Sequence, residues 1–441
     1  MNIKELVDVK NATQSRRIFW EQDIYEREME RIFARCWLFL AHESLIPNPG
    51  DYVTTKMGED EVIVWRQRDG SVKAFLNQCL HRGTTLCNAE TGSANTFSCP
   101  YHGWTYGSDG DLRGVPMQKE VYGPRFNRDE WRLREVPNVA VYKGFVFGSM
   151  DPQAPSLVDY LGDAKWYMDI WADVPGGIEF LGPPGRSILQ TNWKIPAEGF
   201  AGDVYHVGWV HSSVLKALAP DTASTRTQRT YSAEQGIQVT TRNGHGMGIC
   251  FDRYGALLNG LSPELVKLIP ARDVSEVDPA KGPAARSLYD GMWDGTFFPN
   301  ASFLIGLNIF KVWHPLGPDK IEVITWVMAE KRMSDDAKRR LKVAAHRAFG
   351  SAGLLESDDL DAFEYCVRPN AGYVTKQGRI NTAMGLGMDR EDPDFPGVVS
   401  DLLSECAYRG FYRFYVDCMD SQNWEELVRK GEHWKEQLIG G

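Results

Sequence analysis

The sequence predicts an α+β protein, with a small all-β domain followed by a larger domain built on an antiparallel sheet. Short β-type runs separated by turn residues fill positions 37–153. Beyond them, longer strand-like runs alternate with helical segments. The segment 152–155, with two prolines, separates the two patterns. We therefore expect one domain over 37–153 and a second formed by 1–36 together with 154–441.

Local signals place the elements in order along the chain. Residues 1–36 are expected to be helical, because apolar side chains recur at helical spacing over 23–33. Asp69-Gly70 between two β-type runs predicts a hairpin, and the glycines within 106–112 predict another. The second domain is expected to contain strands at 240–251, 301–313 and 320–328, a helix at 334–349 capped by Ser334, and helices over 405–436.

Composition narrows the class of protein. The chain has 441 residues, 43% of them hydrophobic, which suffices for a large core. Its net charge of −10 argues against nucleic-acid binding. A membrane span and a secretory signal are not expected, because no run of roughly eighteen apolar residues and no apolar N-terminal region is seen. The eight cysteines are scattered, so we expect mostly free thiols and a reducing, cytoplasmic location.

Two short segments of the first domain each carry one cysteine and one histidine. One residue separates Cys79 from His81, and two residues separate Cys99 from His102. Two thiolates and two imidazoles suit either a tetrahedral zinc site or a [2Fe–2S] cluster whose second iron is bound by histidines. The chemistry of the donor set alone leaves both sites open.

The spacing of these segments favours the iron–sulfur cluster. A single residue between cysteine and histidine is too short for the usual zinc-finger ligand arm. Each segment also ends in glycine, at Gly83 and Gly103, where a turn can direct backbone N–H groups at the cluster sulfurs. We therefore predict a Rieske-type cluster, with a structural zinc site as the alternative. Four unconnected core or surface residues fit this spacing poorly.

A second candidate metal site lies in the larger domain. Asp203 and His206 are three residues apart, which places them on one face of a helix. His206 and His211 are five apart, and a regular helix would separate them by about 140° unless the neighbouring glycines break it. Two histidines and one distant carboxylate, sought within 356–359, would form the facial triad of a non-haem Fe(II) oxygenase. The alternative is two ordinary helix histidines and a solvated acidic turn.

Together these motifs resemble the large (α) subunit of Rieske non-haem iron aromatic-ring-hydroxylating oxygenases, and most closely the naphthalene and biphenyl dioxygenase type. The resemblance covers essentially the whole chain. It implies a Rieske β-domain and a catalytic domain of the helix-grip type. Besides the cysteine–histidine motifs, it rests on the segments 192–194, 198–211, 310–313, 356–359, 396–399 and 408–411.

The resemblance also implies the ligands and the electron path. For the [2Fe–2S] cluster it implies two cysteines on one iron and two histidines on the other, namely Cys79 and Cys99, then His81 and His102. For the mononuclear Fe(II) it implies two histidines and one carboxylate, namely His206, His211 and Asp359. Asp203 is implied as the bridge that passes electrons from the cluster of a neighbouring subunit.

Two positions depart from the family pattern. Gly199 stands where an amide side chain is common beside the iron, and Leu355 stands where the naphthalene type has a large aromatic residue. Both changes remove bulk near the substrate. The segment 215–273 is expected to supply entrance loops. Apolar residues expected to line the pocket are Gly199, Phe200, Val207, Leu258, Phe297, Leu304, Leu307 and Leu355.

The predicted function is that of a terminal oxygenase which converts an arene and O₂ to a cis-dihydrodiol. A histidine-ligated cluster has a raised potential and can hold an electron until substrate is bound. The electrons must come from NAD(P)H through a separate reductase or ferredoxin, because no dinucleotide motif or second ferredoxin-type cysteine run is present. The resemblance further implies a trimer of α subunits, expected to carry a small β subunit in an α3β3 assembly.

Two other functions are considered. A Rieske monooxygenase acting on a substituted arene, such as a salicylate-type acid, would yield a phenol or catechol instead of a dihydrodiol. A Rieske electron carrier would hold two irons per chain instead of three. Thr84 and Tyr101 stand where respiratory-type Rieske proteins carry an additional cysteine pair, and this argues against the carrier.

Overall fold

A computed structural model describes residues 2–214, 235–251 and 273–439. The chain divides into two compact units. The smaller unit is Phe33–Leu157, and the larger combines Met1–Ile32 with Val158–Gly441. The predicted limits of the first domain, 37 and 153, lie just inside the smaller unit.

Antiparallel sheets build the smaller unit. A four-stranded sheet has the order Val72–Leu76, Asp60–Arg66, Asp51–Met57 and Thr91–Ser93. One three-stranded sheet has the order Leu112–Gly114, Thr105–Gly107 and Thr96–Ser98. Another has the order Asn138–Tyr142, Phe145–Ser149 and Leu38–His42. Short helical turns complete the unit at Glu43–Leu45, Gln118–Val121 and Arg128–Trp131.

Both hairpins predicted for this unit are confirmed. Gly70 lies in the turn between the strands Asp60–Arg66 and Val72–Leu76, and Gly110 lies between Thr105–Gly107 and Leu112–Gly114. The φ angles of these glycines are +86° and +85°, a region that side chains disfavour. The core beneath the turns is aromatic, and a Cβ added at Gly110 would lie 2.5 Å from a ring carbon of Phe75. A side chain at Gly110 would therefore displace the Phe75 ring, whereas the space beside Gly70 is open.

A ten-stranded antiparallel sheet dominates the larger unit, and the α+β class is confirmed. Its main path has the order Ile178–Phe180, Lys320–Glu330, Ile309–Gly317, Ala301–Ile305, Met292–Phe297, Gly246–Cys250, Gly236–Thr240, Phe395–Asp401 and Arg390–Asp392. The remaining strand, Gly185–Leu189, pairs with Lys320–Glu330. The strand predicted at 320–328 is confirmed within Lys320–Glu330. The runs predicted as single strands at 240–251 and 301–313 also lie in this sheet, but turns at 241–245 and 306–308 divide each of them between two antiparallel strands.

Helices of the larger unit cover and flank the sheet. They are Ile3–Leu6, Gln22–Glu28, Leu157–Leu161, Ala164–Ala172, Lys194–Gly199, Val207–Val210, Gly282–Tyr289, Asp335–Phe349, Leu354–Val367, Cys406–Asp420, Trp424–Lys430 and Glu436–Ile439. The predicted cap is confirmed, because the Ser334 hydroxyl accepts a hydrogen bond from the backbone N–H of Ala337 at 3.3 Å. The predicted C-terminal helices are also confirmed. No helix among the described residues has the length and apolar character needed to cross a membrane.

The N-terminal prediction of helix over 1–36 is wrong for part of that range. Val7–Asp8 and Thr13–Ser15 form short strands that pair with each other, and the second also pairs with Arg379–Asn381. Distant strand pairing overrides local helical spacing there. Gln22–Glu28 is helical as predicted and continues into a π-turn over Met29–Phe33.

A buried carboxylate ties this helix to the segment that leads into the candidate metal site. Both oxygens of Glu28 accept hydrogen bonds, from the Lys194 ammonium at 2.5 Å, the Trp193 indole N–H at 2.8 Å and the Tyr415 hydroxyl at 2.6 Å. Glu28 and Lys194 are fully buried. Burial lowers the pKa of Lys194 and the Glu28 charge opposes that effect. The network fixes where the helix Lys194–Gly199 begins.

Candidate metal centres

Two glycine-closed turns present the cysteine–histidine motifs of the smaller unit. The backbone N–H of Gly83 donates to the Cys79 carbonyl at 2.9 Å, and that of Gly103 donates to the Cys99 carbonyl at 3.0 Å. Gly83 and Gly103 have φ angles of +77° and +72°. The same turn is therefore built twice, and each turn places its cysteine and histidine on one short loop.

The four side chains of these turns lie close together. Cys79 and Cys99 are buried, and the imidazole rings of His81 and His102 are 4.5 Å apart between centroids. His81 also stacks on the Trp104 indole, with a 10° angle between the rings. Its Nδ1 atom is buried and makes no hydrogen bond within the described chain. Two buried thiols and an unpaired buried imidazole nitrogen fit the donor set of a [2Fe–2S] cluster with histidine ligands.

Tyr106 is a neighbour of the cysteines that the sequence reasoning missed. Its hydroxyl lies 3.6 Å from the Cys79 Sγ atom and accepts a hydrogen bond from the Leu80 backbone N–H at 3.1 Å. Tyr106 is fully buried. Burial raises the pKa of the Cys79 thiol, an effect that the hydrogen bond from Tyr106 opposes. Nothing in the sequence distinguishes this tyrosine from other strand residues, so only the fold reveals it.

In the larger unit the chain breaks where two histidines must converge. The helix Lys194–Gly199 ends shortly before Gly202, whose φ is +144°, and a new helical turn covers Val207–Val210. His206 and His211 flank that turn at its two ends, and their rings are 5.4 Å apart between centroids. Asp203 lies in the break and not on a helix, contrary to the prediction from its spacing.

The two histidines meet one carboxylate from a distant helix. Asp359 Oδ1 lies 3.4 Å from His206 Nε2 and 3.2 Å from His211 Nε2. One ligand atom from each of the three residues lies within 4.8 Å of the others. Burial would raise the pKa of Asp359, but hydrogen bonds and charge from both imidazoles outweigh burial and hold its pKa well below the usual range. This donor set fits a metal ion bound by two nitrogens and one carboxylate.

Each histidine has a second carboxylate on its other ring nitrogen. His206 Nδ1 lies 3.3 Å from Asp203 Oδ2, and His211 Nδ1 lies 3.3 Å from Asp358 Oδ2. Asp203 also accepts from the His206 backbone N–H at 3.2 Å. Outer carboxylates of this kind fix the ring orientation and tautomer of a metal-binding histidine. Neighbouring residues Asp358 and Asp359 therefore contact different atoms of the site.

Glu356, the remaining acidic residue of 356–359, does not contact the histidines. Its carboxylate forms a buried ion pair with the Lys311 ammonium, and burial raises the pKa of Glu356 while Lys311 opposes the rise. Lys311 lies on the strand Ile309–Gly317, and Glu356 lies on the helix Leu354–Val367. The pair therefore anchors the first turn of the helix that carries Asp359, a role the sequence reasoning did not assign.

A cavity of about 300 Å³ adjoins the two histidines and Asp359. Five residues expected to line a pocket do line it, namely Gly199, Phe200, Val207, Leu304 and Leu307. Leu355 and Phe297 are buried but are not among its described lining residues. Leu258 and most of 215–273 lie outside the described residues.

The sequence reasoning missed three aromatic lining residues, Phe349, Phe363 and Tyr408. Phe363 follows Asp359 by four residues on the helix Leu354–Val367, so helical spacing could have found it. A Cβ added at Gly199 would lie 3.2 Å from a ring carbon of Phe363. Because Gly199 has no side chain, the cavity extends up to the Phe363 ring at this point.

Comparison with known proteins gives matches to both units. A family profile described as the Rieske [2Fe-2S] domain matches residues 36–139. Another, described as the ring hydroxylating alpha subunit (catalytic domain), matches residues 157–421.

Full-length relatives and a solved structure agree with these matches. The large oxygenase component of a naphthalene 1,2-dioxygenase system from Pseudomonas aeruginosa is 44% identical over 99% of this chain and 98% of the relative. The corresponding component of a 2,4-dinitrotoluene dioxygenase system from Burkholderia sp. (strain RASC) is 42% identical, with 99% and 98% covered. A structure of naphthalene 1,2-dioxygenase with indole in its active site superposes with a TM-score of 0.92, at 42% identity and 99% coverage of each chain.

Proposed function

Because this chain belongs to the Rieske-type ring-hydroxylating oxygenase alpha subunits, we propose that it cis-dihydroxylates a bicyclic arene of about the size of naphthalene. It is the large, terminal oxygenase component of a multicomponent arene dioxygenase, which uses O₂ and receives electrons from partner proteins. The observation that carries the substrate proposal is the cavity of about 300 Å³, with mostly apolar walls, beside His206, His211 and Asp359. Such a volume suits a small, apolar ligand.

We further propose that these three residues hold a mononuclear Fe(II). Two imidazoles and one carboxylate occupy one face of an octahedral ion and leave positions for other ligands, and iron so bound supplies the O₂ chemistry. His206 and His211 would bind through Nε2, since their Nδ1 atoms face Asp203 and Asp358. The apolar walls formed by Phe200, Val207 and their neighbours would hold the arene and exclude water.

For the other centre we propose Cys79 and Cys99 as ligands of one cluster iron and His81 and His102 as ligands of the second. The proximity of these side chains and the unpaired Nδ1 of His81 support this assignment. The resemblance implies that electrons pass from the cluster of one subunit to the mononuclear site of its neighbour. We therefore propose a homotrimer of α subunits with a small β subunit. A ferredoxin or reductase would supply its electrons.

Asp203 is proposed as the residue that connects the two kinds of centre across subunits. Its carboxylate contacts His206 Nδ1. The side chain is 29% exposed to solvent, so a neighbouring subunit can reach it. Burial would raise the pKa of Asp203, but the charge and hydrogen bonds of His206 lower it, which keeps the carboxylate ionised. The variant Asp203→Ala should keep the cluster and much of the mononuclear iron but lose turnover. Product formation at the wild-type rate would contradict the bridge.

The alternative substrate, an aromatic acid of the salicylate type, fits the cavity less well. Among the described lining residues there is no lysine or arginine to pair with a carboxylate. Glu198, Asp203 and Asp294 line it instead. An anionic arene would lose its hydration without gaining a cationic side chain from these lining residues, which is costly. An electron carrier is disfavoured by the second donor set itself, which a carrier does not need.

Product identity tests the proposed function. The purified protein would be chemically reduced without O₂, given naphthalene, exposed to O₂, and its products separated by chromatography. The proposal predicts a cis-dihydrodiol. A phenol or catechol as the sole product would support the monooxygenase, and no product from naphthalene or any other bicyclic arene would contradict the proposal. Asp359→Ala provides the matched control without the mononuclear site.

A further inference from the structure

Two carboxyl groups, those of Glu198 and Asp294, line the largely apolar cavity without hydrogen-bonding to the proposed metal ligands, and Glu198 is already paired with the Tyr412 hydroxyl. Asp294 lies on the strand Met292–Phe297, and both Met292 and Asp294 line the cavity because alternate residues share a face. In the sheet, Asp294 pairs with Gly248 on one side and with Leu304 on the other. Leu304 also lines the cavity. Asp294 therefore occupies the middle of the cavity wall formed by this sheet.

The neighbouring strand makes room for this carboxyl group. A Cβ added at Gly248 would lie 2.5 Å from Asp294 Oδ1 and 3.0 Å from the Cα of Gly202. A contact of 2.5 Å does not occur in proteins, so any side chain at Gly248 would displace the Asp294 carboxyl, and it would also crowd the backbone at Gly202. The absence of a side chain at Gly248 thus leaves room for the Asp294 carboxyl and for the backbone at Gly202.

The Asp294 carboxyl has no side-chain partner among the described residues. No arginine, lysine, hydroxyl or amide of the described residues donates to it, and the hydrogen bonds that reach it come from the backbone N–H groups of Asp294 itself and Gly248. Burial raises the pKa of Asp294 to about 8, although the charge of His206 opposes the rise. At neutral pH the group is mostly an uncharged acid with an oxygen free to accept a hydrogen bond.

We propose that Asp294 is a specificity-determining residue that accepts a hydrogen bond from a ring hydroxyl or ring N–H of the arene. This inference rests on the proposed function and names the substrate class of the same site. A bicyclic arene with one hydroxyl or N–H substituent would add a hydrogen-bond donor to the carboxyl oxygens, whereas an unsubstituted arene would present only C–H groups to them. An arene carboxylate would instead bring a second negative charge into a cavity that the ionised Asp203 already lines.

A pair of isosteric ligands tests this without altering the protein. 2-Naphthol and 2-methylnaphthalene have nearly the same shape, but only the first can donate a hydrogen bond. The dissociation constants of both would be measured by calorimetry on the intact oxygenase under anaerobic conditions. We expect about tenfold tighter binding of 2-naphthol, the scale of one hydrogen bond in a dry site. Equal binding, to within about twofold, would overturn the proposal.

Variants then assign the preference to this residue. Asp294→Leu removes the acceptor and should abolish the preference for 2-naphthol, whereas Asp294→Asn keeps an acceptor and should retain most of it. Asp290→Asn is the matched control, because Asp290 precedes the same strand but is not a lining residue, and it should behave as wild type. A wild-type preference in Asp294→Leu would assign the selectivity elsewhere and overturn the proposal.

The binding measurement separates the two proposals. If naphthalene yields no dihydrodiol, the proposed function fails, yet the ratio of dissociation constants still reports on Asp294. If the dihydrodiol forms but the ratio is unaffected by Asp294→Leu, only the inference about Asp294 fails. Should Asp294→Leu not fold, as judged by its cluster absorbance, the ligand pair on the wild-type protein still decides the matter.

Discussion

The two donor sets of this chain are assembled in different ways. Cys79, His81, Cys99 and His102 come from two similar turns of the smaller unit, each closed by a glycine a few residues beyond its cysteine. The second set joins a broken helix that carries two histidines to Asp359, which follows them by more than a hundred residues. The first set depends on local backbone geometry, whereas the second depends on how a helix packs on a sheet.

The surroundings of the two sets differ as well. The Tyr106 hydroxyl, a backbone N–H and the Cys99 thiol lie beside the Cys79 thiol, and no carboxylate of the described residues hydrogen-bonds to it. In the second set each histidine has its own carboxylate, Asp203 or Asp358, and a buried ion pair holds the helix behind them. Charge therefore positions the second set, so substitutions there should have larger structural consequences than neutral changes around the cysteines.

Removing Asp359 should have the largest effect. Asp359→Ala deletes the carboxylate that both Nε2 atoms face, so we expect loss of the mononuclear iron and of all turnover, with the cluster absorbance retained. Iron analysis should fall from about three to about two per chain. Asp358→Ala, which removes only an outer carboxylate, should weaken iron binding by about 10- to 100-fold.

The control for this prediction lies on the same helix. Asp361 is exposed, so Asp361→Ala should keep the full iron content and activity. If Asp359→Ala keeps the third iron and Asp358→Ala loses it, the prediction is contradicted. Asp358 would then be the iron ligand and Asp359 the outer carboxylate.

The corresponding change in the smaller unit should give the opposite pattern of iron loss. Cys99→Ser should eliminate the visible iron–sulfur absorbance and leave the mononuclear site able to bind iron, because its ligands lie on other elements. Cys87 is a buried cysteine of the same unit outside the motif, and Cys87→Ser should retain the cluster. Zinc in place of iron in the wild-type protein would support the structural-zinc alternative.

Breaking the buried ion pair should cost stability. Lys311→Met leaves the Glu356 carboxylate buried without its cation, a change that typically costs about 3–5 kcal/mol. A decrease in the midpoint of thermal unfolding, with loss of mononuclear iron, would show it. The double variant Lys311→Met/Glu356→Leu should recover most of the loss, because neither charge then remains. Equal stability of wild type and Lys311→Met would mean that the pair does not anchor the helix.

The smallest effect is expected at Tyr106. Tyr106→Phe removes the hydroxyl beside Cys79 Sγ and should preserve the fold and the cluster. A hydrogen bond to sulfur favours the reduced, more negative cluster, so its removal should lower the reduction potential. If the bond contributes ~1.4 kcal/mol, the shift is about 60 mV for one electron. An unchanged potential in a redox titration would show that the contact is unimportant for the cluster.

This contrast explains which features could be predicted from the sequence. The cysteine–histidine spacing, the Asp69-Gly70 hairpin and the Ser334 cap are local signals, and local geometry suffices to interpret them. The strand Thr13–Ser15, and with it its local partner Val7–Asp8, was missed because Thr13–Ser15 pairs with Arg379–Asn381, more than 350 residues away.

Roles that arise from packing were also missed. Lys311 and Glu356 are far apart in sequence, and only the contact between strand and helix shows that they pair. Asp294 looks like an ordinary strand residue until the sheet places it in the cavity wall. Asp203 lies beside His206 as its spacing suggested, although the backbone between them is not helical.

The central claim is that both centres serve one reaction, and reoxidation of the reduced cluster tests it most directly. The chemically reduced wild-type protein and Asp359→Ala would be mixed with O₂ and naphthalene, and cluster absorbance followed by stopped flow. We expect fast reoxidation, with dihydrodiol formed, only in the wild-type protein and only when the arene is present. Fast reoxidation in Asp359→Ala, or in the wild-type protein without the arene, would contradict the account.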